Sequence, residues 1–377
     1  MKIAVISGRG LEAFGGIETY ILETYRRIAR DGHEVIIYSR KDGLSPDKSP
    51  NIKICLLPCL HVRHLNVFSH CIFSVFAAWT QKIDIVCYHG SVASLVSFLP
   101  VRRGVKKIVV FHGLDRLSPI LNNLLKSGMR ISEIIGSRFS DKLIVTSEYL
   151  KNYFYANYLV HSDCVLPGSD KHETMPPKEI SKLGLEKDGY ILFLGRLAPE
   201  KGCHLLIEAY KSINTKTKLV IAGPTVFDFN DSYYRYLRKL SAADRRIIFT
   251  GAVEKELKEE LLSNAYFMVY PSSIGGLPLV ILEAMSHGKC VLVSSICDYY
   301  RVIKRHSVLF DIGNKMDFLA KLELLLEDPE RCERCGRAAQ EYVLANFSWE
   351  DTALKFESIF DEVKNNGCQK TSYGQRN

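Results

Sequence analysis

A chain of 377 residues is longer than one compact core fills and predicts two domains. With 47% hydrophobic and 24% charged residues it has the composition of a soluble globular protein. The formal charge of +8 suits phosphorylated substrates or an anionic membrane face; no recognisable nucleic-acid module accompanies it, so nucleic acid is not an expected partner.

The opening run reads as a strand, Lys2–Ser7, rather than a secretory leader. A helix from about Ile17 to Arg30 follows, with Ile17, Ile21, Tyr25, Ile28 and Ala29 on one face and Gly32 as its stop. Strands are predicted at 34–39, 51–57, 83–88, 107–111 and 142–146, and a long helix at about 120–137. The run Leu65 to Trp79 is the most apolar stretch. It is broken by Asn66, Ser69, His70 and Ser74, falls short of the roughly 18–20 residues of a spanning helix, and reads as a buried helix. Residues 168–188 are polar, contain Pro176 and Pro177, and read as a linker. The alternation then restarts, with strands at 190–194, 218–222, 246–250, 266–270 and 290–294, and helices between them. A last helix is expected over 348–365, and a disordered tail over 366–377. Strand–helix alternation throughout predicts doubly wound parallel sheets, in an N-terminal domain of residues 1–170 and a C-terminal one of 188–346.

Eleven cysteines without framework spacing point to a reducing cytoplasm. Cys332 and Cys335 form a lone C-x-x-C with no second pair to complete a zinc site.

Several short motifs carry chemistry. After the strand at 190–194, Gly195, Arg196, Lys201 and Gly202 open a helix. Glycine lets the backbone approach a ligand, Arg196 can fork onto two oxygens, and Lys201 adds a point charge beside a helix N-terminus, an arrangement suited to a diphosphate. Downstream runs Tyr270-Pro-Ser-Ser-Ile-Gly275-Gly276-Leu277-Pro278, followed by Glu283-Ala-Met. Gly15 and Gly16 follow the first strand and begin a helix whose free N–H groups could meet an anion. His112 and His89 each end a predicted strand, where ligands bind in open α/β sheets. For His89 the plainer account, an imidazole satisfied by its surroundings, is preferred. A competing match, Gly8-x-Gly10-x-x-Ala13, fits a dinucleotide fingerprint, with Arg40 available to a 2′-phosphate; Gly15 and Gly16 interrupt where that fingerprint needs helix.

Together the Gly195–Lys201 and Gly276–Glu283 motifs resemble retaining glycosyltransferases of the GT-B group 1 (family 4) class. The Gly15-Gly16-Ile17-Glu18-Thr19 run is similar to that of bacterial surface-polysaccharide transferases. The resemblance implies two Rossmann-like domains facing across a cleft, with the last helix packing back on the first. It implies His112 near the donor sugar and Arg196 and Lys201 at the departing diphosphate. Gly15, Gly16, Gly195, Gly275, Gly276, Leu277 and Glu283 would bind donor, Glu283 through the ribose hydroxyls. The donor is a nucleoside-diphosphate sugar and the acceptor a glycan or polyprenyl-diphosphate-linked glycan. No metal or other cofactor is expected, the two cations replacing the divalent ion that another fold holds with Asp-x-Asp, a motif this chain lacks. Basic residues at Arg102, Arg103, Lys106 and Lys107 would permit peripheral contact with the inner face of the cell membrane. The family's first glutamate, just before Gly-Leu-Pro, is Gly275 here. A degenerate sugar-nucleotide-binding scaffold, a UDP-sugar epimerase and an NADP-dependent oxidoreductase therefore stay open.

Overall fold

The computed structural model describes residues 1–8, 15–40, 49–60, 62, 65–119, 121–225, 232–273, 276–296 and 302–372. The chain forms two compact units, Met1–Gly168 with Trp349–Asn377, and Ser169–Ser348.

The first unit runs β1 (Lys2–Ser7), α1 (Gly16–Arg30), β2 (Glu34–Arg40), β3 (Ile52–Leu57), α2 (Asn66–Trp79), β4 (Ile85–His89), α3 (Ser91–Leu95), β5 (Lys106–Phe111), α4 (Asn123–Phe139), β6 (Lys142–Val145), α5 (Glu148–Tyr158) and β7 (Asp163–Cys164). Its strands are parallel in the order β3-β2-β1-β4-β5-β6-β7. The second unit runs α6 (Glu179–Lys182), β8 (Tyr190–Leu194), α7 (Cys203–Lys211), β9 (Lys218–Ala222), α8 (Ser232–Ser241), β10 (Ile247–Gly251), α9 (Lys255–Asn264), β11 (Phe267–Tyr270), α10 (Leu279–Ser286), β12 (Val291–Ser294), β13 (Val308–Phe310), α11 (Lys315–Glu327) and α12 (Pro329–Asn346). Its sheet is also parallel, in the order β10-β9-β8-β11-β12-β13. Helices on both faces explain why the strands read as continuous apolar runs. Ile3–Ile6, Val35–Tyr38 and Tyr190–Phe193 are fully buried, so no polar face interrupts them.

Each sheet reverses its winding once, between β1 and β4 in the first and between β8 and β11 in the second. Such switch points open a crevice at the C-terminal ends of the strands. The candidate residues at Gly8, His89, Gly195 and Tyr270 all follow or end these four strands.

The final helix, α13 (Trp349–Ser372), packs on the first unit. Trp349, Ala353, Phe356, Phe360 and Val363 form its buried stripe at helical spacing. Burying each large side chain contributes roughly 1.5–3 kcal/mol, which outweighs the half-exposed ion pairs of Glu350 with Arg27 and Arg30. The Thr352 hydroxyl donates to the Leu166 carbonyl at 2.9 Å, closing the unit around β7.

Three readings of the sequence need correction, and two strands escaped it. Residues 169–188 belong to the second unit rather than linking two domains. Glu260, nearly fully buried, accepts from the backbone N–H groups of Lys178, Glu179 and Ile180 at 3.0, 2.7 and 3.2 Å, and Ile180 and Leu185 are buried. The prolines and charges that suggested a linker are the outer surface of this packed segment. Next, α2 is not a buried helix. Its polar residues Ser69, His70 and Ser74 face inward, while Phe73, Phe76 and Trp79 are more than a third exposed. The last helix passes the expected stop at Asn365 and ends at Ser372, because an Asn-Asn-Gly run that resembles a C-cap continues as helix; residues 373–377 lie outside the described ones. Finally, the short edge strands β7 and β13 carry too few residues to show a pattern.

Candidate active site

In the second unit three loops meet beyond the switch point. Gly223, after β9, has φ +139°, and a Cβ there would lie 2.0 Å from the Gly195 carbonyl oxygen. Gly202 has φ +71°, and its Cβ would lie 2.0 Å from the Pro271 carbonyl oxygen. Only glycine allows these approaches. The Gly195 N–H donates to Ala222 at 3.0 Å and Leu197 to Pro224 at 2.8 Å, tying the loop after β8 to the end of β9. The Glu200 carbonyl accepts from the Ser273 N–H at 2.8 Å and the Ser272 hydroxyl at 3.1 Å, tying the same loop to the end of β11. The Ser294 hydroxyl donates in turn to the Ser272 carbonyl. Lys201 Nζ stands 5.5 Å from the centroid of the Tyr270 ring, a cation held over an aromatic face. Arg196 is half-buried on the same loop, and Gly202 caps α7. The ends of β8, β9 and β11, the Lys201 ammonium and the N-terminus of α7 are thus tied together by one loop, which also carries Arg196.

Gly276 and Leu277 precede α10, and Gly275 lies outside the described residues. Glu283, on α10, is ion-paired to Lys258 of α9 at 2.5 Å. The pair holds one carboxylate oxygen and leaves the other as an acceptor.

In the first unit Ser7 and His89 are register neighbours at the switch point. The Tyr25 hydroxyl meets His89 Nε2 at 2.9 Å, and His89 Nδ1 meets His112 Nε2 at 3.1 Å. Both imidazoles are held neutral: burial pushes His112 down to about 3, and burial with the neighbouring ring lowers His89 well below its usual range. Each contact carries one proton, so a phenol donating to His89 leaves His112 with its proton on Nδ1, the ring atom turned from His89. The Tyr20 ring meets His112 edge-on at 4.9 Å and Phe356 stacks on His89 at 6.4 Å. The sequence reading preferred for His89 an imidazole satisfied by its surroundings; its partners are Tyr25 and His112.

Gly15 caps α1, but the N-terminus is already served. A Cβ on Gly15 would lie 1.7 Å from Glu18 Oε2, so the third helical residue folds its carboxylate back over the cap. Glu18 is buried there and places negative charge where the reading of Gly15 and Gly16 expected a free anion site. In the competing dinucleotide match, α1 opens at Gly16, beyond the motif, and a Cβ on Gly8 would lie 2.8 Å from Val67 Cγ1. Gly10 and Ala13 lie outside the described residues.

The basic patch also differs from expectation. Lys107 Nζ donates to the Ser97 and Leu99 carbonyls, both at 2.7 Å, and Lys106 faces Asp141 at 3.4 Å. Arg102 and Arg103 alone of the four are exposed. The C-x-x-C pair is packed in the second core, Cys332 Sγ donating to the Leu325 carbonyl at 3.2 Å. No helix among the described residues is long and apolar enough to cross a membrane.

The predicted residues thus divide between the units. Gly15, Gly16 and His112 lie in the first; Gly195, Arg196, Lys201, Gly276, Leu277 and Glu283 lie in the second. Sequence reasoning missed Tyr25, Glu18, Lys258, Gly223 and the Tyr270 ring. Of these only Glu18 carried a readable signal, an acid three residues after a cap.

Comparison with known proteins agrees. Residues 14–166 match the Glycosyltransferase Family 4 model and residues 176–342 the model for Glycosyl transferases group 1. The D-rhamnosyltransferase WbpZ of Pseudomonas aeruginosa is 25% identical over 87% of this chain and 87% of its own. The lipopolysaccharide 1,2-N-acetylglucosaminetransferase of Salmonella typhimurium is 24% identical over 80% of this chain and 83% of its own. Among solved structures, sucrose-phosphate synthase from Thermosynechococcus elongatus superposes with a TM-score of 0.82 at 20% identity, covering 96% of this chain and 99% of that one. Anabaena HepE in complex with UDP-glucose superposes with a TM-score of 0.76 at 18% identity, covering 96% and 100%. The chain belongs to the GT-B glycosyltransferases of the group 1 and family 4 class, and is related to bacterial surface-polysaccharide transferases.

Proposed function

We propose that this enzyme is a retaining glycosyltransferase that moves a sugar from a nucleoside diphosphate to a glycan or lipid-linked acceptor in cell-surface polysaccharide synthesis. The observation that supports the reading is the loop bearing Arg196 and Lys201, which Gly202 and Gly223 allow to pack tightly against the ends of β9 and β11, with Lys201 over the Tyr270 ring. Relatives named for rhamnosyl and N-acetylglucosaminyl transfer, and a fold relative holding UDP-glucose, support a sugar-nucleotide donor.

As the glycosidic bond breaks, negative charge grows on the leaving diphosphate. Fixed cations bind that state more strongly than the ground state. Arg196 forks onto two oxygens and Lys201 supplies a point charge, so the reading requires no metal. The leaving phosphate takes the acceptor's proton as the acceptor attacks from the same face, which retains configuration without a protein nucleophile. Glu283 accepts from the ribose hydroxyls with the oxygen that Lys258 leaves open. His112 donates from Nδ1 to the donor sugar. The reading includes a cytoplasmic location and contact with anionic lipid, now carried by Arg102, Arg103 and the exposed aromatics of α2 rather than by Lys106 and Lys107.

A scaffold that binds the sugar nucleotide without turnover is the second reading, favoured by the absence of a carboxylate at Gly275. A thermal-shift panel with UDP, GDP, dTDP, ADP, CDP and NADP, on wild type and Arg196→Ala, tests the assignment. A ligand at a hundred times its dissociation constant stabilises by about 2.7 kcal/mol. One nucleoside diphosphate should stabilise wild type and much less the variant. Stabilisation by NADP alone, or equal stabilisation of both proteins, overturns the site. Incubation of the matching sugar nucleotide with lipid-linked glycans then separates transferase from scaffold.

A further inference from the structure

We propose that His172, Glu259 and His287 form a binding site for one divalent transition-metal ion of the zinc class. Glu259 Oε2 lies 3.0 Å from His172 Nδ1 and 2.9 Å from His287 Nε2. All three ligand atoms fall within 4.8 Å of one another. A tetrahedral zinc ion with bonds of about 2.0–2.1 Å holds such atoms about 3.3 Å apart. Side-chain shifts of under about 1.5 Å therefore convert the hydrogen-bonded cluster into a coordination set.

The three ligands are placed by different segments of the second unit, each independently held. His172 sits on the strap between Ser169, whose N–H donates to Phe347 at 3.1 Å, and Met175, whose N–H donates to the Ser263 hydroxyl at 2.8 Å. Glu259 projects from α9. His287 caps the C-terminus of α10, its N–H donating to the Glu283 carbonyl at 3.1 Å. The two imidazoles stack with centroids 4.3 Å apart and planes 20° from parallel. Two charged rings cannot share that stack without repulsion, so at least one is neutral, and an ion would replace the protons that the two rings donate to Glu259.

The surroundings favour a cation. Asp170 and Glu283 act on His172 in addition to Glu259. Burial opposes ionisation of Glu259, but the hydrogen bonds from both histidines outweigh it and hold the carboxyl well below its usual range. Two imidazoles and one carboxylate select zinc-like ions over magnesium and calcium, which take oxygen. His287 is buried while the His172 side chain is about a quarter exposed, 26%, so the fourth position opens toward solvent on the His172 side. The ion would clamp the strap at residues 169–175 to α9 and α10, a structural role apart from sugar transfer.

The test titrates the chelator-stripped full chain with Zn²⁺ against a chromophoric competitor, with Mg²⁺ as the control ion. One Zn²⁺ per chain is expected, bound below about 1 µM. His172→Ala and Glu259→Gln should each weaken it roughly tenfold or more. Cys332→Ser with Cys335→Ser should leave it unchanged. Zinc at a hundredfold excess over its dissociation constant should raise the wild-type unfolding midpoint by about 5–10 °C. No saturable wild-type site tighter than about 10 µM overturns the proposal. So does affinity that survives both His172→Ala and Glu259→Gln, or that vanishes in the cysteine variant.

Discussion

The histidine pair at the first switch point makes stability depend on pH with a calculable slope. In the folded chain His112 takes up a proton only near pH 3, and His89 is likewise depressed. Unfolded, each titrates near 6.5. A group whose folded pKa lies below its unfolded one gives stability that is complete above the unfolded value and lost as pH falls toward the folded value. From pH 7.5 to 5.5 His112 therefore removes about 1.4 kcal/mol, and His89 adds to the fall in the same direction. Other histidines contribute to the total, so the informative quantity is the difference between wild type and His112→Gln. The assay is urea unfolding followed by tryptophan fluorescence. The only two tryptophans, Trp79 and Trp349, both lie in the first unit and report on it alone. The variant should lose about 1.4 kcal/mol of the pH-dependent fall, roughly 0.7 M in urea midpoint at a slope of about 2 kcal/mol/M. Parallel pH dependence in the two proteins would refute a buried neutral pair.

Glu133 is nearly fully buried and accepts from Arg116 Nε at 3.1 Å and from the Tyr153 and Tyr158 hydroxyls, both at 2.7 Å. Glu133→Leu should cost about 3 kcal/mol, the low end for a broken buried pair because Arg116 is partly exposed, and adding Arg116→Met should recover part of it in chemical denaturation. Gly202→Ala should cost more stability than Gly32→Ala. Both have positive φ, but nothing crowds a Cβ at Gly32, while at Gly202 it meets a backbone oxygen; calorimetry on the two variants isolates the clash. In a transfer assay Gly275→Glu should raise turnover if the position has lost a working carboxylate; a fall means the pocket is shaped around glycine.

Much of the fold was legible because both sheets are parallel and covered. Runs such as Tyr190–Leu194 and Lys2–Ser7 are apolar without alternation, and their bounds agree with the observed strands. The Gly195–Lys201 stretch was legible as a strand-to-helix loop because glycines at 195 and 202 end one apolar run and begin an amphipathic one. What stayed hidden depends on contacts between distant residues. The packing of residues 169–188 follows from Glu260, eighty residues on, and nothing near Pro176 announces it. The inward face of α2 is hidden for a related reason. Hydropathy would bury Phe76 and Trp79, yet Ser74 satisfies itself on the His70 carbonyl at 2.8 Å and goes inside. The Tyr25, His89 and His112 chain joins a helix to two strands, a proximity only the strand order creates.

The first unit is built from two stretches of chain separated by the whole second unit, and this constrains how it is made. When β7 leaves the ribosome, the surface destined for Phe356 and Phe360 has no cover. The intervening 169–348 segment is continuous and can complete itself meanwhile. At about 5–20 residues per second, the first unit waits roughly 10–40 s for α13 to be synthesised. During that interval the early unit is exposed to aggregation and proteolysis. Emergence of α13, rather than of the first 168 residues, is the event that completes the first unit.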